Sequence, residues 1–489
     1  MKGKQTSKDT DSFYHLAQAT EGEQFCRGTA CFVARHLDPD RWLAAVPREQ
    51  RTYCLGNCFS APASSSDTDR PRIKSLSREP IVLGPIIGGP ICSVSASTAR
   101  GGYAALDQAL GLSQVELVKA VELSELRGRG GAGFPTGKKW RAVAEQKGAE
   151  KFVVANADEG DPGAYIDRFL LEDDPHRLIE AMAIAGYAVG AAKGYIYLRK
   201  EYPRARMALE QALSEARREG FLGERIVHRD FFFDVELVVG RGSYVCGEET
   251  ALLNSIEGQR PEVRLRPPYP SESGLFGKPT LINNVETLAN IPWIVRHGGE
   301  AFQRLGFSNS RGSKVLSLNS LFRAPGLYEV DFGITIRQIV EDLGGGLRNE
   351  TLKGLIIGGP LAGIIPPHLF DTPLGFNELA RIGASVGHGG VIAFDEHTSI
   401  AELVHHVFEF GAFESCGKCT PCRLGSRRIE QLFHQILEAG QAPTCEKSKP
   451  MEIVSVLAMT SLCGLGTGLA EFAQSALRHY AEELESCFT

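Results

Sequence analysis

Between residues 73 and 305 the chain alternates short β-branched runs with amphipathic helical ones, and few architectures accept that order. LSQVELVKAVELSEL reads as a helix, and KFVVANAD as a strand running into polar residues. PHRLIEAMAIAGYAVGAA, GYIYLRKEY, RARMALEQALSEARREG and FFFDVELVVGRG continue as helix, strand, helix and strand. Repeated β-α-β order implies a layered α/β fold with a largely parallel sheet, because parallel strands need a long crossover between them.

Three further blocks flank this one. Residues 1–62 carry Cys26, Cys31, Cys54 and Cys58, and the polar run SAPASSSDTDRPR (Ser60–Arg72) opens a stretch, 63–100, that reads as a linker. Residues 311–396 combine short apolar runs such as SKVLSLNS and GLIIGGPL with one helix, TIRQIVEDLGG, and so predict a small α+β domain. From 397 to 489 the pattern is helical, with four segments long enough for a bundle. The expected α/β block spans 101–310.

The formal charge of −6 excludes nucleic acid as the main partner, which needs a basic surplus. The longest apolar stretches, Ala181–Ala192 and the broken run Ile81–Val94, fall short of the roughly 20 residues a membrane span requires. The first residues lack the apolar core of a secretory signal, so the expectation is a cytoplasmic protein without membrane insertion. A reducing compartment makes twelve cysteines a matter of metal ligation more than of disulfides.

The clearest cluster is Cys416-x-x-Cys419-x-x-Cys422, at the junction of two predicted helices. Two-residue gaps let a tight turn aim successive thiolates into one pocket, as a [4Fe–4S] cluster needs. Cys463 is the expected fourth ligand, because Gly464 and Gly466 beside it permit close backbone approach. Cys445 is its competitor, in a polar loop. Zinc is the rival metal, but it favours paired C-x-x-C knuckles over a triple. The pairs Cys26-x4-Cys31 and Cys54-x3-Cys58 suit a [2Fe–2S] centre, and spacing alone suits zinc nearly as well.

LRGRGGAGFPTGKKW contains Gly128-x-Gly130-x-x-Gly133, the literal spacing of a dinucleotide fingerprint. Its context is wrong for one, since a predicted helix precedes it and no clean helix follows. Its chemistry still suits an anion: glycines free backbone amides, Lys138 and Lys139 can reach a phosphate, and Phe134 offers a stacking face. A surface loop would have the same composition. NADEGDPG places Asn156, Asp158, Glu159 and Asp161 at the carboxyl end of a strand, where ligands sit in open α/β sheets. YVCGEET offers Tyr244, Gly247, Glu248 and Glu249 at a helix start, and INNVETL offers Asn283, Asn284 and Thr287. Each of these could equally be a helix cap.

Together RGRGGAGFPTG, NADE, YVCGEET, INNVETL, ESCGKCTPCR and SLCGLG resemble, in order, the 51 kDa flavin- and NADH-binding subunit of respiratory NADH dehydrogenase. The same module occurs in soluble NAD-dependent hydrogenases and formate dehydrogenases. The resemblance implies a Rossmann-like FMN and NADH domain, a ubiquitin-like β-grasp domain, and a four-helix bundle holding one [4Fe–4S] cluster. It places FMN phosphate against Gly128, Gly130 and Lys139, with Asn283, Asn284 and Thr287. It places the isoalloxazine near Asn156, Asp158, Tyr244, Gly247 and Glu248. NADH would lie against Glu159, Asp161, Glu249, Phe134, Arg266 and Tyr269. It implies no catalytic side chain, because hydride passes to flavin directly, with Glu159 and Glu248 nearby.

Asp161 replaces a usual Glu, Arg266 a usual Lys and Tyr269 a Phe, while Ala142 stands where some members carry a third aromatic. These departures motivate a second reading, a cluster-binding scaffold without NADH chemistry. The N-terminal block resembles an abbreviated form of the thioredoxin-like [2Fe–2S] partner subunit. Residues 393–428 are most similar to the beta subunit of molybdenum- or tungsten-dependent formate dehydrogenases that reduce NAD. That implies an iron–sulfur catalytic subunit and a thioredoxin-like subunit as partners; a hydrogenase or respiratory complex is the alternative.

Overall fold

In the first sheet four parallel strands run in the order Asp234–Val239, Lys193–Leu198, Phe152–Ala157, Thr280–Asn284. The computed structural model of the chain describes residues 22–43, 46, 50–148, 150–348, 351–439, 448–485 and 487–488. Strand Phe152–Ala157 is central, and its side chains divide between two apolar layers. Val153, Ala155 and Ala157 join the main core, while Phe152 and Val154 pack with Tyr195, Tyr197, Leu252 and Ile282. Burial on both faces is what an apolar parallel strand requires. Helix Pro175–Val189 covers the main-core side; it starts with proline in its first turn and stops at Gly190, whose φ of +76° suits glycine. From the central strand the chain crosses to Lys193–Leu198 on one side, and Thr280–Asn284 lies on the other. The strand order therefore reverses at Phe152–Ala157, and a crevice opens at the carboxyl ends of these strands.

The second sheet has six strands in the order Ile364–Ile365, Leu352–Ile357, Gly390–Asp395, Ser313–Leu318, Gly326–Asp331, Arg72–Ser75. The last of these corrects the expectation that 63–100 is a linker. Arg72–Ser75 pairs in parallel with Gly326–Glu329, and Ile81, Val82 and Leu83 are buried. Its polar composition reflects an edge strand with exposed residues, not an unstructured tether. Val82 and Leu83 donate backbone N–H to the Glu329 carboxylate, 2.9 and 2.8 Å, fixing the segment to the sheet. The helix expected at TIRQIVEDLGG is split, with Ile336–Gln338 α-helical and Ile339–Leu343 widened into a π turn.

Helices Ile400–Glu414, Thr420–Ala439, Ser448–Thr460 and Gly464–His479 form the C-terminal bundle. Buried Ile400, Leu403, Val404, Val407 and Phe408 follow the i, i+3, i+4 spacing of an amphipathic helix. A Cβ on Gly411 would lie 2.5 Å from Leu469, so the first and fourth helices touch closely there. The N-terminal block is wedged between the other parts. Phe32 stacks on His406, Arg35 pairs with Glu402 at 2.7 Å, and Arg168 donates to the carbonyls of Leu55 and Gly56. Its own strands, Phe25–Cys26 and Arg51–Thr52, are two residues each. Among the described residues no helix is long and apolar enough to cross a membrane.

Candidate functional site

The crevice holds two adjoining cavities. In the strand register Asn156 lies beside Asn284, so the carboxyl ends of the two strands present paired amides. The glycine loop closes over them. Gly128 N–H donates to the Phe134 carbonyl at 2.9 Å, and Arg127 bridges to Pro135, pinching the loop at its base. A Cβ on Gly130 would come within 2.8 Å of the Asn284 Cβ, so only glycine permits this approach. Contrary to the sequence expectation, a helix does follow the loop, Thr136–Ala144. Its Gly and Lys pair weaken the local signal. Tertiary packing overrides it: Trp140 is fully buried and Gly137 lies against Glu122.

The first cavity, about 600 Å³, is lined by Gly128, Gly130, Phe134, Lys139, Glu249, Arg266 and Tyr269, with Asn283, Asn284 and Thr287 at its floor. Lys139 Nζ donates to Glu249 Oε2 at 2.9 Å, and Arg266 donates to Glu249 Oε1 at 3.1 Å. Burial would lift the Glu249 carboxyl, but these two cations outweigh it and hold its pKa low. The Trp140 indole donates to Asn283 Oδ1 at 3.0 Å, and Arg129 N–H donates to Thr287 Oγ1 at 2.8 Å. Phe134 and Tyr269 are 53% and 54% exposed at the rim, free to stack on a planar group.

The second cavity, about 410 Å³, shares Gly130, Asn156, Gly247, Glu248, Asn284 and Gly464 with the first. Asp158, Asp161 and Tyr244 form one wall and the start of helix Gly464–His479 another. Asn156 Nδ2 donates to the Gly247 carbonyl at 2.8 Å, and the Tyr244 hydroxyl donates to Asp161 Oδ1 at 2.8 Å. Burial raises the pKa of Asp158 and of Asp161. Glu248 caps helix Glu249–Ile256 through the N–H groups of Thr250 and Ala251.

Glu159 departs from its expected place beside the nicotinamide: it lines neither cavity. It is fully buried, and its carboxylate accepts backbone N–H from Ile166, Asp167 and Arg168 at 2.6, 3.1 and 3.0 Å. It holds the start of helix Ile166–Asp173, whereas its neighbours Asp158 and Asp161 face the cavity. Residues that the sequence did not point to are Ser385, Gly387 and His388 in the cavity wall and Asp167 beside His388. Gly387 bridges to Gly131 of the glycine loop. A histidine among glycines in GASVGHGGVI was the available signal for that wall.

Cys416 and Cys422 are buried, Cys419 and Cys463 partly so. Cys463 occupies the N-cap of helix Gly464–His479, and Cys416 follows the end of Ile400–Glu414. Cys416 and Cys463 pack with Val245 and Ala251 of the nucleotide block. Gly417, at φ +77°, turns the chain between the first two thiols. Cys445 lies outside the described residues. Thiolates on one tetrahedral zinc stand about 3.8 Å apart, given Zn–S near 2.3 Å. Among the described residues no three cysteine sulfurs lie mutually within 4.8 Å. At the N-terminus all four cysteines are buried. Cys54 and Cys58 sulfurs are 3.9 Å apart, and Gly28 and Gly56 donate N–H to Cys26 and Cys54 at 3.4 and 3.3 Å.

Comparison with known families matches residues 121–293 to the Nuo51 FMN-binding domain and 402–487 to the NADH-ubiquinone oxidoreductase-F iron–sulfur binding region. The chain is 42% identical over 407 residues to the F 2 polypeptide of the Rhizobium meliloti NADH-quinone oxidoreductase, covering 83% of this chain and 96% of that one. It is 41% identical over 395 residues to the NADP-reducing hydrogenase subunit HndC of Solidesulfovibrio fructosivorans, 81% of this chain and 80% of that one. A chain in the crystal structure of an NAD+-reducing [NiFe]-hydrogenase in the H2-reduced state superposes with TM-score 0.80 at 29% identity, covering 98% of this chain and 87% of its own.

A parallel sheet with a crevice at its switch point, joined to a thiol-bearing bundle and matched by an FMN-binding domain and an iron–sulfur binding region, belongs to the flavin and iron–sulfur oxidoreductases. The chain belongs to the Nuo51 family, the 51 kDa subunits of NADH-quinone oxidoreductases. It is an NADH dehydrogenase-type electron-transfer subunit with FMN and [4Fe–4S] as cofactors.

Proposed function

We propose that the chain is the diaphorase unit of an NAD-dependent formate dehydrogenase, with the two cavities as its FMN and NADH site. Gly128, Gly130, Lys139, Asn283, Asn284 and Thr287 hold the flavin phosphate and ribityl chain. Asn156, Asp158, Tyr244, Gly247 and Glu248 border its ring. Asp161, Glu249, Phe134, Arg266 and Tyr269 receive the nicotinamide nucleotide, and Glu159 acts from behind by fixing the Asp158–Asp161 turn. Cys416, Cys419, Cys422 and Cys463 ligate the [4Fe–4S] cluster. The observation that carries this reading is the place of Gly464: it lies in the wall of both cavities and directly follows Cys463. The nucleotide site and the cluster thiols are thus one residue apart in the chain. Bound FMN supplies the exchange between paired and single electrons. The protein's part is to stack, to anchor phosphate and to shorten the path to sulfur.

The domain assignment follows the same lines: an abbreviated thioredoxin-like segment in 1–62, the nucleotide domain in 101–310, a ubiquitin-like domain in 311–396 and the cluster bundle in 397–489, with 63–100 as a packed connection. We assign a [2Fe–2S] centre to Cys26, Cys31, Cys54 and Cys58, supported by their complete burial and the amides of Gly28 and Gly56 on sulfur. Cys54→Ser lowers the iron content of the purified chain by about two atoms; iron unchanged by this substitution contradicts the assignment.

Phe134→Ala and Tyr269→Ala each raise KM for NADH about 2- to 10-fold with kcat nearly unchanged, as loss of one stacking partner implies. Steady-state kinetics with an artificial acceptor measures both.

The host complex is read from residues 393–428. Hydrogenase is the second reading, favoured by the superposition that covers 98% of this chain, the N-terminal block included. Isolating the intact assembly through this chain and adding NAD+ with formate tests the first reading. NADH formation is expected; NADH formed from hydrogen but not from formate would replace it with the second.

A further inference from the structure

At the wall of the second cavity lies a buried cluster of which the electron-transfer reading leaves His388 and Asp167 unused. The His388 ring is 4% exposed. Its Nε2 stands 3.1 Å from Asp167 Oδ2 and 3.3 Å from Glu159 Oε1, directed squarely at neither, and its Nδ1 stands 3.8 Å from Asp161 Oδ2. Among the described residues Glu159, Asp167 and His388 are the one group of three such side chains whose ligand atoms converge this closely. Both carboxylates already accept hydrogen bonds from backbone or amide N–H, which leaves the imidazole as the cation between them.

We infer that His388 is a positioning residue for the flavin, held as an imidazolium between Asp167 and Glu159, and that loss of its proton loosens the cavity's grip on the flavin. This rests on the flavin-site reading above. Three links run from this ring to the cavity. Asp167 Oδ2 accepts from Asn284 Nδ2 at 2.6 Å, and Oδ1 accepts from Glu286 N–H at 3.2 Å, so this carboxylate holds the end of the strand that carries Asn283 and Asn284. Glu159 and Asp161 bracket the turn that lines the second cavity. Gly387, the preceding residue, bridges to Gly131 of the glycine loop. One protonated ring therefore ties together three of the elements that line the crevice.

The surrounding charges decide what deprotonation does. Facing the ring are Glu159 and Asp161 from the turn and Asp167 from the following helix. Lys314 Nζ donates to the His388 carbonyl at 2.8 Å, but its charge is matched by Glu286. Arg199 reaches the Glu159 carbonyl and Tyr244 bonds Asp161. Without the imidazolium, the carboxylates are left facing one another across a dry pocket. Burial acts to depress the His388 pKa, yet Asp167, Glu159 and Asp161 outweigh it and raise it to about 9. Because the folded value exceeds the ordinary one near 6.5, the contribution is complete below about pH 6.5 and is lost as pH rises through about 9.

The test uses the full chain stripped of flavin and titrated with FMN, read by quenching of flavin fluorescence from pH 7 to pH 10. With a site that titrates near 9, the wild-type Kd rises about tenfold at pH 10, when about a tenth of the sites keep the proton. H388Q binds FMN more weakly by more than about tenfold already at pH 7 and shows no such rise; ionisation of FMN itself affects both proteins alike. A wild-type Kd that stays flat, or an H388Q slope equal to wild type, overturns the inference. Should H388Q fail to fold, H388N takes its place as the comparison, and a wild-type Kd that stays flat still overturns the inference. No FMN binding at any pH would contradict the flavin-site reading itself. The melting temperature of the flavin-free chain then decides the proton site alone: a fall between about pH 6.5 and 9 that is absent from H388Q supports it, and a fall shared by both overturns it.

Discussion

Cys463→Ser yields a folded chain that keeps FMN and loses its [4Fe–4S] cluster. The residue is partly exposed and stands at a helix N-cap without a side-chain capping bond, so the swap of sulfur for oxygen leaves no cavity and disturbs little packing. What it removes is a thiolate that Cys416, Cys419 and Cys422 cannot replace, since among the described residues the remaining cysteines lie elsewhere: Cys246 in the second apolar layer, Cys92 bonded to the Glu172 carbonyl, Cys487 to the Glu483 carbonyl, and four in the N-terminal block. Outer-shell changes alone cost metal sites about 10- to 100-fold, so loss of a ligand lowers NADH-driven reduction of a cluster-linked acceptor by more than about 100-fold. Iron analysis and rates to that acceptor measure it. Cys92→Ser serves as control and leaves iron unchanged. A Cys463→Ser protein with its full iron content would reassign the fourth ligand.

Lys314→Met destabilises the chain by about 3–5 kcal/mol. Lys314 and Glu286 are both completely buried and paired, joining the strand Ser313–Leu318 of the second sheet to the helix that follows Asn284 in the first. Burial lowers the Lys314 pKa, opposed by Glu286, so the ammonium persists because the carboxylate is there. Removing it strands a charge in a dry interior, which is where the cost arises. The double change Lys314→Met with Glu286→Leu recovers most of the loss, though not all, because Glu286 also accepts from Val315 N–H at 2.9 Å. Urea unfolding of the wild type and the two variants measures both steps. A single change that costs less than about 1 kcal/mol contradicts the picture of an uncompensated charge.

The elements legible in the sequence are those whose signal is local. KFVVANAD announces a strand because a parallel strand buried on both faces must be apolar throughout, and Phe152–Ala157 is one. The Cys416 triple is legible because a tight turn encodes its own spacing, and the glycine loop because an approach as close as that of Gly130 to Asn284 forbids a side chain. The misses share a cause, in that the deciding partner is distant. Thr136–Ala144 is helical on the strength of Trp140 packing, and RIKS is a strand because Gly326–Glu329 offers it an edge. Glu159 reads as a ligand until the amides of Ile166, Asp167 and Arg168 claim its carboxylate. His388 stands more than two hundred residues from the carboxylates it faces, and no periodicity can bring them together. Cys463 is legible across some forty residues because its glycine neighbours mark it, and the fold brings it to pack with Cys416.

The most direct measurement is anaerobic titration of the full chain, loaded with FMN and iron, with NADH, followed by electron paramagnetic resonance. NADH alone should bring up the signal of a reduced [4Fe–4S] cluster, together with bleaching of the flavin absorbance. Zinc in place of iron, or a cluster signal raised by dithionite but never by NADH, would contradict the claim that this crevice delivers electrons from nucleotide to the thiols around Cys416.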